Sequence, residues 1–211
     1  MRRASEVRKV ELTDAALHII ATKGIAALTT RSLADQVGLS SGAIFRHFAS
    51  LDALLDAVVA RVEAVLEATY PPLTLPPVER LERFVEARSS AVGNNLGILR
   101  LVLSEQFLLA LPKSGSTRLA ACVAKTRNFV VECLRQGQGS GELRADLPVE
   151  ALAPVVMGTV QMLALSPSRA RARATETRAV SSTLLALLRA PADGGLARST
   201  HATAPARGTS P

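Results

Sequence analysis

The chain has 211 residues, of which 48% are hydrophobic, with a formal charge of +7 and only two cysteines. That is enough apolar material for one large domain or two smaller ones, and two cysteines exclude a disulfide-stapled scaffold. The charge is uneven: residues 1–50 hold seven Lys/Arg against four Asp/Glu, residues 51–165 eleven against twelve, and residues 166–211 seven against two. A basic front end is the electrostatic footprint of a polyanion-binding module, although basic tails also serve solubility alone.

No apolar leader follows Met1-Arg2-Arg3, because charged residues recur through Lys23, so a cytoplasmic location is expected. Between Glu150 and Arg169 no residue is charged, yet Pro154, Gly158, Thr159, Gln161, Ser166 and Pro167 interrupt that window. Its apolar part falls short of the ~20 residues needed to span a bilayer, so it reads as a buried interface helix and no membrane contact is expected.

Residues 6–22 predict a first helix, with Val10, Leu12, Ala16, Leu17, Ile20 and Ala21 at helical spacing and Gly24 as its stop. Thr29-Thr30 opens a second helix with a capping hydroxyl, Leu33, Ala34 and Val37 form its inner face, and Gly38 ends it. Ser40 caps a third helix whose Ile44 and Phe48 return to the core. Ser50 begins a long fourth helix with Asp52 in its first turn and one stripe of Leu51, Leu54, Leu55, Val58, Val62, Val65 and Leu66. The segment PPLTLPP, 71–77, reads as a connector.

Further helices are expected near 78–92, 95–111, 115–137, 148–165 and 169–190, with breaks at Gly93-Asn94-Asn95, Leu111-Pro112, the QGQGSG run of 136–141 and Ser166-Pro167. Long Ala and Leu runs, with Gly and Pro confined to a few positions, make the fold all-α with about nine helices. Residues 191–211 are too poor in apolar groups to order themselves and are expected to be a disordered tail.

The stretch TTRSLADQVGLSSGAIFRHF, 29–48, has the parts of a helix-turn-helix. Ala34 is small where two helices touch, Gly38 suits the positive φ of a tight turn, and Ile44 is the apolar anchor. On a wheel of about 100° per residue with Ile44 inward, Gly42 and Arg46 fall on the opposite face, flanked by Ala43 and Phe45. That smooth, arginine-tipped face suits a major groove: Gly42 and Ala43 permit close approach, and Arg46 can reach a guanine edge or a phosphate. Ser40 and Ser41 offer helix-start amides to a phosphate, and Thr29, Thr30 and Arg31 open the second helix within reach of the duplex. His47 lies between the inner and outer faces, where a phosphate contact and a packing role both remain open.

The segment TTRSLADQVGLSSGAIFRHFASLDALLDAV, with DAALHIIATKG before it, resembles the DNA-binding signature of TetR-family transcriptional regulators. GELRADLPVEALAPVVMGTV, 141–160, also resembles the entry to that family's dimer-forming helices. The resemblance implies a homodimer with an N-terminal three-helix DNA-binding domain, residues 1–50, and a C-terminal helical domain, residues 51–190, for dimerisation and a small-molecule effector. Its expected partner is a palindromic double-stranded DNA operator, and its expected role that of a ligand-responsive repressor. The sequence departs from the family pattern in having Phe45 where Tyr is usual and Leu51 where Lys is usual. The basic arm Arg2, Arg3, Arg8 and Lys9 is the candidate replacement for that phosphate grip. A nucleoid-associated DNA-binding protein of the same fold, or an all-helical enzyme or carrier, are the alternatives.

In the C-terminal part Gln106, Asn128, Thr159 and Gln161 interrupt apolar helices and are the candidate effector-binding polar groups, although each could as well be an ordinary core or surface polar residue. With 3% aromatic residues and no Trp, any cavity should be mainly aliphatic and favour a lipophilic ligand. Cys122 and Cys133 lie too far apart along a helix, roughly 16 Å, to bridge. His18, His47 and His201 share no ligand spacing, so no metal site is expected, and no cofactor. None of the common catalytic motifs appears, and no enzymatic activity is expected.

Overall fold

In the computed structural model, residues 2–94, 98, 109–166 and 170–190 are described. They form eight α-helices and no strand: α1 Arg2–Lys23, α2 Thr30–Val37, α3 Ser41–Ile44, α4 Leu51–Glu67, α5 Pro77–Asn94, α6 Lys113–Gly139, α7 Val149–Leu165 and α8 Ala170–Leu188. A 3-10 turn, Ile25–Ala27, joins α1 to α2. The expected helix over 95–111 and the tail 191–211 lie almost wholly outside the described residues, as does Gln106.

Each start and stop follows local chemistry. Gly24 takes φ +84° after α1, and Gly38 takes φ +67° after α2. Both lie in the left-handed region that glycine enters without a Cβ penalty. At the front of α2 the Thr29 hydroxyl accepts from the Ser32 N–H, while the Ser32 hydroxyl accepts from the Thr29 N–H, both at 3.0 Å, a reciprocal cap. Ser50 caps α4 by accepting from the Ala53 N–H at 3.1 Å.

Two apolar cores result. The first joins Leu12, Ala16, Ile20, Leu33, Ala34, Ile44 and Phe48 to the whole inner face of α4, and continues to Val92, Ile98, Leu111, Leu119 and Ala164. The second lies among α5, α6, α7 and α8, around Leu81, Phe84, Val130, Leu134, Val156 and Leu184. The helix α4 therefore belongs to the head and to the larger helical body at once, with Val58, Val59 and Val62 completely enclosed.

Three expectations are corrected. Val10 is 51% exposed, because α1 extends past the neighbours that cover its later turns, and Leu51 is 37% exposed at the open first turn of α4. The break expected from 136 begins later, since α6 runs through Gly137 to Gly139 and ends at Ser140-Gly141, where Gly141 takes φ +77°. Packing overrides the low helix propensity of glycine there: Leu143 folds back so closely on Gly137 that a Cβ would lie 2.6 Å from it.

Candidate nucleic-acid interface and effector cavity

The turn between α2 and α3 is built as the sequence predicts. Ala34 is 2% exposed where the helices meet, its carbonyl accepts from the N–H of Leu39 at 2.9 Å, and Ile44 is 2% exposed beneath α3. The outer side carries Gly42, Phe45 and Arg46, all exposed, with Ala43 half-buried between them. A Cβ added at Gly42 would meet nothing within 4 Å, so the glycine leaves open space on the face rather than serving the fold.

One expectation changes in detail. Regular α-helix covers only Ser41–Ile44, and the N–H groups of Arg46 and His47 then bond three residues back, to Ala43 and Ile44. Such winding is tighter than 100° per residue, and one short turn contributes little dipole for a phosphate. The hydroxyl of Ser40 is committed to the cap of α3, accepting from the Ala43 N–H at 3.3 Å, and that of Thr29 to the cap of α2. Both residues position the reading helices, leaving Thr30, Arg31, Ser41 and Arg46 with side chains not spent on caps. Among the described residues neither Arg31 nor Arg46 forms an ion pair, and both are exposed. His47 is half-buried, with Nδ1 enclosed and unbonded among the described residues.

The basic arm is weaker than its composition suggests. Arg8 pairs with Glu11 at 2.7 Å and Lys9 approaches Glu6 at 3.6 Å on the same helix. The side chains of Arg2 and Arg3 lie outside the described residues.

A second site lies at the opposite end of α4. A cavity of about 140 Å³ is enclosed by Leu66 at the end of α4, Arg88 and Val92 of α5, Cys122 and Thr126 of α6, and Met157, Val160, Gln161 and Ala164 of α7, together with Ile98. As expected, its wall is mainly aliphatic. Of the three candidate polar groups among the described residues, only Gln161 lines it. Asn128 is exposed on the outer side of α6, and the Thr159 hydroxyl donates to the Val155 carbonyl of its own helix at 2.9 Å. Gln106 is not among the described residues.

No feature of the sequence pattern singles out Arg88. Only 4% exposed, it lies with its guanidinium carbon 4.9 Å from the ring centres of both Tyr70 and Phe84, and Phe129 completes that aromatic group at 5.1 and 5.0 Å. Burial disfavours its charged form and lowers its pKa, partly offset by Tyr70. A guanidinium nevertheless stays protonated in proteins. The Tyr70 hydroxyl lies 3.0 Å from that of Thr126, tying the end of the α4 segment to α6. Burial, and then the nearby Glu63, push the Cys122 thiol above its ordinary value.

No helix among the described residues is long and apolar enough to cross a membrane, and none of their His, Cys, Asp and Glu side chains cluster in a way that could hold a metal.

The profile of the family described as bacterial regulatory proteins, tetR family, matches residues 12–58, from the buried part of α1 to the middle of α4. The HTH-type transcriptional repressor KstR2 of Mycobacterium tuberculosis is 29% identical over 146 residues, 68% of this chain and 72% of the relative. The nucleoid occlusion factor SlmA of Vibrio vulnificus is 27% identical over 113 residues, 53% of this chain and 50% of the relative. Among solved structures, the ketosteroid transcriptional regulator KstR2 of Mycobacterium tuberculosis superposes with a TM-score of 0.76 at 24% identity, covering 86% of this chain and 95% of that one. AibR, solved in complex with isovaleryl coenzyme A and operator DNA, superposes with a TM-score of 0.70 at 15% identity, covering 86% and 98%. With a glycine-turned helix pair whose profile match runs from α1 into α4, residues 12–58 carry the N-terminal region of the tetR family of bacterial regulatory proteins, on an all-helical fold shared with these solved structures.

Proposed function

We propose that this protein is a ligand-responsive transcriptional repressor that binds a near-palindromic operator as a homodimer in the cytoplasm, and is not an enzyme. Residues 1–50 are the reading head and residues 51–190 the effector-binding and dimerisation part. Two α3 helices enter successive major grooves about 34 Å apart, with Arg46 at the base edges or phosphates and Arg31, Thr30 and Ser41 beside it. The observation that carries this reading is the continuity of α4. Its first turns lie under the head, its last buried residue, Leu66, is a wall of the cavity, and one apolar core runs between them. A small molecule that fits the cavity better when the heads stand at the wrong separation then weakens operator binding, by a coupling of about 1 to 3 kcal/mol.

Self-association is supported by an exposed apolar face on α7 and α8, where Val155, Met162, Leu165 and Leu187 are 52–68% exposed. Such a face on a folded chain is what a twofold, self-matching interface covers. The repressor KstR2 and the operator complex of AibR support the same assignment by analogy.

Selection of bound fragments from genomic DNA by the purified protein tests the reading. One or a few near-palindromic sites beside genes are expected. Many dispersed sites would favour a nucleoid-associated role of the kind named for SlmA. A stable monomer with no preference for any duplex would refute it.

A further inference from the structure

Among the described residues Arg88 is the one charged side chain that lines the effector cavity. The Nε and Nη2 atoms of Arg88 are buried and have no hydrogen-bond partner among the described residues. These two atoms share one edge of the guanidinium, where their N–H bonds run parallel and match the two oxygens of a carboxylate. Tyr70 and Phe84 attract the cation through their rings, and Tyr70 adds a hydrogen-bonding contribution, yet neither pairs with Nε or Nη2. The nearby acids are already held: Glu63 accepts from Arg118 and Glu67 from Lys125. The rest of the lining is mainly apolar, with Leu66, Val92, Met157 and Val160, and its other polar groups are Cys122, Thr126 and Gln161, none of them charged.

His47, Arg80, Arg173 and Ser181 each leave one buried atom unpaired too, but none of them lines the cavity; two unpaired N–H groups on a buried guanidinium in its wall call for a partner from outside the chain. We propose that the cavity takes an aliphatic carboxylic acid whose carboxylate pairs side-on with Nε and Nη2 of Arg88 while its hydrocarbon body lies against Leu66, Val92, Met157 and Val160. The single guanidinium selects a singly charged anion, since a phosphate monoester carrying nearly two charges would be neutralised only in part. The volume, about 140 Å³, is close to that of a dry cavity that accepts benzene, so a body of about six carbons fits it. This assignment identifies the effector class within the regulatory reading above and rests on that reading only for its consequence at the operator.

Calorimetric titration of the full-length protein with hexanoate, 1-hexanol and hexyl phosphate tests it. Hexanoate is expected to bind roughly ten- to a hundredfold more tightly than hexanol, the difference made by charge-assisted hydrogen bonds. In Arg88→Met that preference disappears while hexanol binding is kept. Equal binding of acid and alcohol to the native protein, no binding of hexanoate, or preference for hexyl phosphate overturns the proposal. The native-protein comparison decides even where Arg88→Met does not fold. Hexanoate binding that leaves DNA binding unchanged would retain the carboxylate site and reject its regulatory role, so the two ideas fail separately.

Discussion

Arg61 of α4 reaches back to Asp14 of α1, its Nε donating to Oδ1 at 3.0 Å, and two residues later Glu63 accepts from Arg118 of α6. The helix that links the head to the cavity is thus gripped by charged pairs on both flanks. Those pairs are not what holds it. Arg61 and Asp14 are 40% and 46% exposed, and pairs of that kind contribute about 0 to 1 kcal/mol. Between them Val58, Val59 and Val62 are wholly buried, and truncating one of these loses its transfer energy and leaves a cavity. Urea unfolding should therefore place Arg61→Ala within about 1 kcal/mol of the native protein and Val62→Ala about 2 kcal/mol below it. Equal losses would mean that α4 is fixed to the head electrostatically.

Two glycines of the turn and the helix after it, Gly38 and Gly42, make opposite predictions. Gly38 stands at φ +67°, so Gly38→Ala should lower stability by about 1 to 2 kcal/mol. Gly42 lies in α3 with nothing near its missing Cβ, so Gly42→Ala should leave the melting temperature unchanged or slightly raised. The same substitution thickens the face proposed for the major groove and should weaken operator binding. Thermal melts paired with DNA titrations check both, and a Gly42→Ala protein that melts lower while binding DNA normally would contradict the reading.

The head was legible in the sequence because its constraints are local. The small Ala34, the turning Gly38 and the anchoring Ile44 each satisfy a steric demand set by neighbours a few residues away. The cavity was not legible, and Arg88 illustrates the reason. In PVERLERFVEARSS it reads like Arg83, which pairs with Glu79 on the surface. Only the packing of α6 and α7 across α5 encloses one and leaves the other outside. Packing beyond the helix itself likewise decided Gly137, which Leu143 of the following turn covers, and exposed Val10 and Leu51 despite their apolar side chains and helical spacing. Asn128 and Thr159 lie off the wall of this cavity for a related reason: polarity within an apolar helix does not say which way the helix faces.

Arg46 should matter to DNA and not to the fold. It is exposed and has no ion pair among the described residues, so Arg46→Ala should leave urea unfolding unchanged. Its loss should cost about 1 to 3 kcal/mol in operator binding. A change in base preference at one position would place it on a base edge, whereas a uniform loss with a shallower salt dependence would place it on a phosphate. An unaltered binding curve and unaltered preference would remove it from the interface.

Cys133 should make the protein sensitive to alkaline pH. It is wholly buried on α6, and burial pushes its thiol from 9.0 to about 11. The folded chain therefore keeps this proton over a range in which the unfolded chain has released it. Stability from this group is full below pH 9 and falls as pH rises toward about 11, because the unfolded state then binds fewer protons than the folded one. Two pKa units correspond to about 2 to 3 kcal/mol. The quantity to measure is the difference between the native protein and Cys133→Ala in urea unfolding from pH 7 to 11, in which contributions common to both cancel. The deficit of the alanine variant, set at neutral pH by the small cavity it leaves, should shrink as pH rises. A deficit that stays constant across that range would mean that the thiol ionises as easily in the fold as out of it. Thiol labelling gives an independent check: at pH 8 Cys122, half-buried at the cavity, should react before Cys133, which should wait for unfolding.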